Sequence, residues 1–218
     1  MITALPPVRM PTTLAPVARP AQWWLGAGAA LLVTLQLFAL DVRNPVTQTL
    51  SSYEYTSWGW MFPLALAVFG VGIALLAHRV GRSAPFARLL LSGAALASWA
   101  TAAFPAGTGP SSGYWPGEVH RWGSIVLVVL GLAGALAVPM GAVAGATRAA
   151  VIRLVTLGAA AGGLFLAGQT LKPAVPLMLG DAPLAGGLTQ RVLVACVAAV
   201  LLLLARAEQP RSYPTLRR

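Results

Sequence analysis

Residues 59–77 read GWMFPLALAVFGVGIALLA, nineteen positions without a single charged side chain. As an α-helix, a run of this kind crosses a hydrocarbon core of about 30 Å, which takes about 20 apolar residues. The pattern recurs along the chain. Apolar runs near 23–40, 58–77, 86–103, 121–140, 149–171 and 186–205 give six expected spans. Pro139 is expected to end or kink the fourth, because proline lacks the backbone N–H and clashes with the preceding turn.

Composition points the same way. Charged residues make up 9% of the chain, against about 25% in an ordinary soluble domain. Apolar residues make up 57% before the 23 glycines are counted. A soluble domain of 218 residues has too little interior to hide that surface, whereas lipid covers it directly. The expected fold is all-α: a polytopic membrane protein built as a bundle of six transmembrane helices.

A Pro-rich leader, 1–22, precedes the first span and is expected to be disordered. The apolar run that follows it exceeds the roughly 7–15 residues of a signal-peptide core, so it reads as a retained helix. The transmembrane domain is expected over 23–205, with a short, flexible basic tail over 206–218.

Basic residues set the expected orientation, since they accumulate on the cytoplasmic side of short loops. With six spans, the termini and the second and fourth loops share a side, and eleven of the fifteen Lys and Arg residues fall there. Both termini are therefore expected in the cytoplasm, in the inner (plasma) membrane. Asp41, Glu54, Glu118 and Asp181 fall on the opposite, outer side, together with Arg43, Arg121, Lys172 and Arg191. Trp23 and Trp24 mark the inner interface, and Trp58, Trp60, Trp115 and Trp122 the outer one, where amphipathic rings settle. The net charge of +10 does not point to nucleic acid, because the basic residues are scattered between apolar runs and form no one soluble patch. Anionic lipid at the cytoplasmic face is the expected partner.

Small residues suggest how the helices meet. Gly158 and Gly162 form a GxxxG in the fifth span, and such residues let backbones approach closely where no hydrophobic force drives association. Packing within the bundle is the expected use, with a homodimer seam as the alternative. The single cysteine, Cys196, lies inside an apolar run and reads as a small hydrophobe.

Chemistry, if any, gathers on the outer side. The stretch FPAGTGPSSGYWPGEVHRW, 104–122, sets Glu118, His120 and Arg121 within four positions. A carboxylate beside an imidazole orients it and raises its basicity, so Glu118, Glu54 or Asp41 is a candidate partner for His120 as an acid/base. Arg121 and Arg191 carry the guanidinium fork that matches a phosphate or carboxylate, with Tyr53 and Ser52 as candidate ligand contacts. Gln36 and Gln169 sit in the outer halves of their helices, and a polar amide is costly in lipid unless paired. Both are expected to face the bundle interior. Asp41, Glu54 and Arg191 are expected to gather around His120. A structural reading competes at each point: wet loops are polar, Glu118 at a helix start suits the macrodipole, and Arg191 can snorkel or pair with Asp181.

No cofactor or metal is implied. His78 and His120 are expected on opposite faces, roughly a bilayer apart, and no HExxH or CxxC is present. The glycines lack the strand–turn–helix setting and the lysine of a phosphate loop. The middles of the spans carry no ionisable residue, which argues against a transporter.

An Asp after the first span, NPVTQTLSSYEY, the apolar run quoted first, AAFPAGTG and VHRWGS together resemble DUF998, a bacterial and archaeal family of six-span membrane proteins of unknown function. The resemblance covers most of residues 25–205. It implies that Asp41, Pro45, Ser51 or Ser52, Tyr53, Phe104, Pro105 and His120 are the family's positions. The acidic residue usual soon after Phe-Pro is replaced here by Ala106–Gly107, which implies either Glu118 as its substitute or a member without the family's activity. Taken together, the expected role is a binding, sensing or scaffold protein whose outer face recognises a lipid headgroup or a protein partner. An outer-face enzyme acting on a lipid or lipid-linked substrate through His120 is the alternative, and a small-solute or lipid transporter comes third.

Overall fold

A computed structural model describes residues 18–107, 115–138, 145–170, 178–179, 182–183 and 186–207. It contains six long α-helices: α1 (Ala18–Phe38), α2 (Met61–Val80), α3 (Pro85–Ala103), α4 (Trp115–Ala137), α5 (Gly145–Thr170) and α6 (Gly187–Arg206). All six are long and apolar enough to cross a membrane. The expected all-α, six-span bundle is what forms. Its one departure is a two-residue antiparallel pair, β1 (Met178–Leu179) with β2 (Ala182–Pro183), in the connection between α5 and α6. Pro139, most of the leader and most of the tail lie outside the described residues.

Local chemistry sets the helix ends. Gly81 adopts φ +44° directly after α2, a left-handed exit that a side chain resists. Pro85 opens α3 at its first position, where its missing N–H is one of the helix's unpaired donors anyway. Phe104 closes α3 in an extended conformation, as expected of a residue before proline. α4 begins at Trp115, before the expected start near 121, because Pro116 is tolerated in a first helical turn. That shift decides where the side chains of the opening turns point.

The helices pack in chain order as α1–α2–α3–α4, and α6 sits against α5, α1 and α4. Close approach at glycine makes the seams. A Cβ on Gly72 would lie 2.7 Å from Leu25 of α1, and one on Gly123 would lie 2.6 Å from Thr101 Oγ1 of α3. The GxxxG glycines of α5 face α6: a Cβ on Gly158 would meet Cys196 at 3.1 Å, and one on Gly162 would meet Leu193 at 3.4 Å. That face of α5 is thus covered from within the same chain. Interhelical hydrogen bonds add to the packing. Ser98 Oγ donates to Leu66 O at 2.7 Å and Trp99 Nε1 to Ala67 O at 3.1 Å, tying α3 to α2.

The outer surface of the bundle is apolar. Trp23, Leu89, Phe86 and Leu96 are all 64% or more exposed, which suits lipid and no aqueous surface. The two ends of the bundle differ in what holds them. At one, the start of α1 and the end of α6 meet: Gln22 Nε2 donates to Ala205 O at 2.9 Å, and Arg79 donates to the carbonyls of Ala205 and Ala207. An arginine there satisfies α6's last carbonyls and complements the negative end of its dipole. The other end carries loop one, residues 39–60, and with it most of the polar side chains.

Candidate functional site

Loop one is folded onto the first turn of α6. Leu188 N donates to Val46 O at 3.0 Å, and Gln190 Oε1 accepts from Leu50 N at 2.6 Å. Gly187 is where the two segments touch, since a Cβ there would lie 2.6 Å from Pro45 O. Carbonyls aimed at a helix N-terminus satisfy donors that have no partner inside the helix.

Arg191 holds this arrangement at its centre. Its Nε donates to Gln36 Oε1 of α1 at 2.6 Å and its Nη1 to Gln48 O at 2.8 Å. Its guanidinium lies 5.2 Å from the centroid of the Tyr53 ring, within range of a cation–π contact. Tyr53 is fully buried, and its hydroxyl donates to Arg43 O at 3.2 Å. One side chain therefore joins α1, loop one and α6. Gln36 faces inward, as expected. The pairing of Arg191 with Asp181 lies outside the described residues, as does the side chain of Gln169. Among the described residues, three buried polar atoms at this end have no partner: Arg43 Nε, Gln48 Oε1 and Arg191 Nη2.

His120 belongs to a different group. It is 5% exposed, its Nδ1 lies 2.8 Å from Phe104 O, and its ring stacks on Phe62 with centroids 5.9 Å apart. A carbonyl only accepts, so Nδ1 carries a proton. The bond ties the end of α3 to the start of α4.

Of the carboxylates and Arg191 expected to gather around His120, none bonds to it among the described residues. Glu118 is bound to Arg121, Oε2 to Nη2 at 2.6 Å, on the exposed face of α4. The reason is periodicity: with about 3.6 residues per turn, positions 118 and 120 point to nearly opposite sides of one helix. Glu54 accepts from Ala106 N at 3.0 Å, which closes loop one against the residues following α3. Asp41 is exposed in the turn after α1. Among the described residues no carboxylate bonds to the imidazole. Arg121 lies 5.4 Å from the Trp122 ring, again on the exposed side of α4. Ser52 donates to Thr49 O at 2.7 Å within the 3₁₀ turn Leu50–Tyr55. His78 is exposed at the far end of α2, opposite His120, and no group of three potential metal ligands occurs among the described residues.

Beneath loop one lies a cleft that the sequence did not indicate. α5 leans on α6 and barely touches α4, leaving a hollow of about 470 Å³ walled by apolar residues such as Leu132, Val155, Phe165 and Leu193. Its end nearest loop one carries Thr101, Ser124 and Gln190. That volume falls in the range of about 300–1,000 Å³ typical of small-ligand sites. Gly163 lines the cleft with nothing within 4 Å of where its Cβ would be.

These contacts rank the two neighbouring residues of α4. His120→Ala strips the Phe104 carbonyl of its partner at a buried position, a loss of about 1–3 kcal/mol. Glu118→Gln removes an exposed pair worth under about 1 kcal/mol. Thermal unfolding of the two variants in detergent is expected to show the larger drop for His120→Ala. Equal stability would refute the tie between α3 and α4.

The family described as protein of unknown function (DUF998) matches residues 17–207, from the start of α1 to the end of α6. No curated protein and no solved structure shows significant similarity to the chain. The match takes in Asp41, Pro45, Tyr53, Phe104, Pro105 and His120, of which Tyr53 supports the loop-one fold and Phe104 and His120 bond to each other. With its six membrane helices, the chain is a multi-pass integral membrane protein that belongs to the DUF998 family of unknown function.

Proposed function

We propose that the protein is a binding or sensing protein of the plasma membrane that recognises a lipid, taking an acyl chain into the cleft between α4, α5 and α6. The observation that carries this reading is the cleft itself. It is apolar along most of its length, it lies at membrane depth between spanning helices, and its polar groups are confined to the loop-one end. An acyl chain beneath a polar linkage has that same division. On this reading the loop-one end faces outward and both termini lie in the cytoplasm, following the excess of basic residues at the termini end. Those residues also suit anionic lipid on the inner leaflet.

An outer-face enzyme using His120 has one observation in its favour, the bond from Nδ1 to Phe104 O that fixes the ring's orientation. The binding reading is preferred because Glu118 and Glu54, which would orient that imidazole, are engaged elsewhere. Transport has less support. Nearer the termini end, the buried side chains include Leu25, Ile73, Leu76, Val200 and Leu201, an apolar stretch with no groups to pass a polar solute.

Native mass spectrometry of the purified protein tests the lipid reading. The wild type is expected to retain a lipid through mild delipidation, and Gly163→Leu, which fills the cleft without crowding a neighbouring helix, to lose most of it. A wild type free of lipid, or equal retention by both proteins, would contradict the reading. Orientation is tested with Ser52→Cys. The native Cys196 is buried within α6, so a membrane-impermeant maleimide applied to intact cells is expected to label the variant only. Labelling that requires permeabilised cells would place loop one inside.

A further inference from the structure

A second hollow, of about 320 Å³, lies on the loop-one face, apart from the lipid cleft. Arg43, Thr49, Ser51, Ser52, Tyr55 and Gly107 line it. It forms where Glu54 draws the residues after α3 against the 3₁₀ turn, through its bond to Ala106 N. Gly107 has φ +79°, so the chain turns there in a conformation that leaves bare backbone at the wall.

The chemistry of this wall is one-sided. A guanidinium only donates, and the Arg43 side chain, in this wall, has no hydrogen-bond or ion-pair partner among the described residues. The Thr49 and Ser51 hydroxyls share one hydrogen bond, at 3.2 Å. Two hydroxyls carry two protons, so one of the pair keeps a proton to give a guest. Ser52 has spent its proton on Thr49 O. No carboxylate is among the lining residues, and Glu54, on the same turn, is held by a backbone amide. A small cavity offering a cation and a hydroxyl proton, with no fixed negative charge in its wall, suits an oxyanion.

We propose that this cavity is an oxyanion site in which Arg43 and the Thr49–Ser51 hydroxyl pair hold a phosphate group. Arg43 supplies charge-assisted hydrogen bonds, in the geometry that matches a phosphate, and the hydroxyl pair gives its one free proton to a further oxygen. The volume admits a headgroup or a free ion and excludes a whole lipid. Inorganic phosphate and the phosphodiester of an anionic lipid headgroup share this chemistry. The site stands independently of the cleft, since none of its lining residues lines the cleft.

Thermal unfolding of the full chain separates the sources. In detergent micelles, sodium phosphate is titrated against sodium chloride at matched ionic strength. In phosphatidylcholine nanodiscs, the protein is compared with and without phosphatidylglycerol. A saturable rise in unfolding temperature with phosphate in micelles identifies a site open to the free ion. A rise confined to phosphatidylglycerol nanodiscs identifies a headgroup site. In either case Arg43→Gln is expected to weaken the effect at least tenfold, and Ser51→Ala to weaken it by a smaller factor. Ser51→Ala leaves the backbone contacts of loop one in place, so it decides the matter if Arg43→Gln does not fold. No stabilisation in either medium overturns the proposal, and so does stabilisation that is unchanged in the substituted proteins that fold.

Discussion

A cation near the first turn of a membrane helix has to be satisfied by the protein, because lipid offers it nothing and the helix dipole opposes it. Arg191 meets that constraint with Gln36 of α1, the Gln48 carbonyl and the Tyr53 ring. The rest of the loop-one end follows from it. Loop one must lie across α6 for Gln48 O to reach the guanidinium. Its 3₁₀ turn must present Tyr53 inward, and the turn's outer side then carries the Thr49, Ser51 and Ser52 hydroxyls toward solvent.

α6 is held in a complementary way at its other end, where Arg79 and Gln22 take its last carbonyls. A cation at a helix C-terminus is favoured by the dipole, so that end needs no elaborate setting. α5 is set chiefly by packing against α6. It lies against α6 by way of Gly158 and Gly162 and leaves α4 almost untouched. Small residues that bring α5 close to one neighbour also keep it away from the other, and the cleft is the space that results. The two hollows thus have separate causes, one in loop geometry and one in glycine packing.

The six spans were legible because each apolar run is as long as a bilayer is thick, and that constraint acts on the sequence directly. The site was legible only in part. Gln36, Arg191 and Tyr53 each stood out as polar residues near lipid, but Gln36 and Arg191 are 155 positions apart, and nothing local pairs them. Glu118 and His120 looked like a pair because they stand two positions apart in the sequence. Once α4 starts at Trp115, helical periodicity sends one to the surface and the other to the core. Arg43, Gln48 and Gln190 carry much of the loop-one geometry, yet in the sequence the first two read only as wet loop and Gln190 only as the mouth of the last span. The available signal was Arg43 itself, a basic residue in a loop otherwise rich in serine and threonine.

Amide hydrogen exchange over residues 46–56, compared between the wild type and Arg191→Met, bears most directly on Arg191 as the organiser of this end. The amides of Val46, Gln48, Leu50, Ser52 and Thr56 are all hydrogen-bonded, so slow exchange is expected in the wild type. Without the charge-assisted bonds of Arg191, exchange across the loop is expected to quicken at least about tenfold, while peptides from α2 stay protected. Unchanged protection of 46–56 in Arg191→Met would contradict the account.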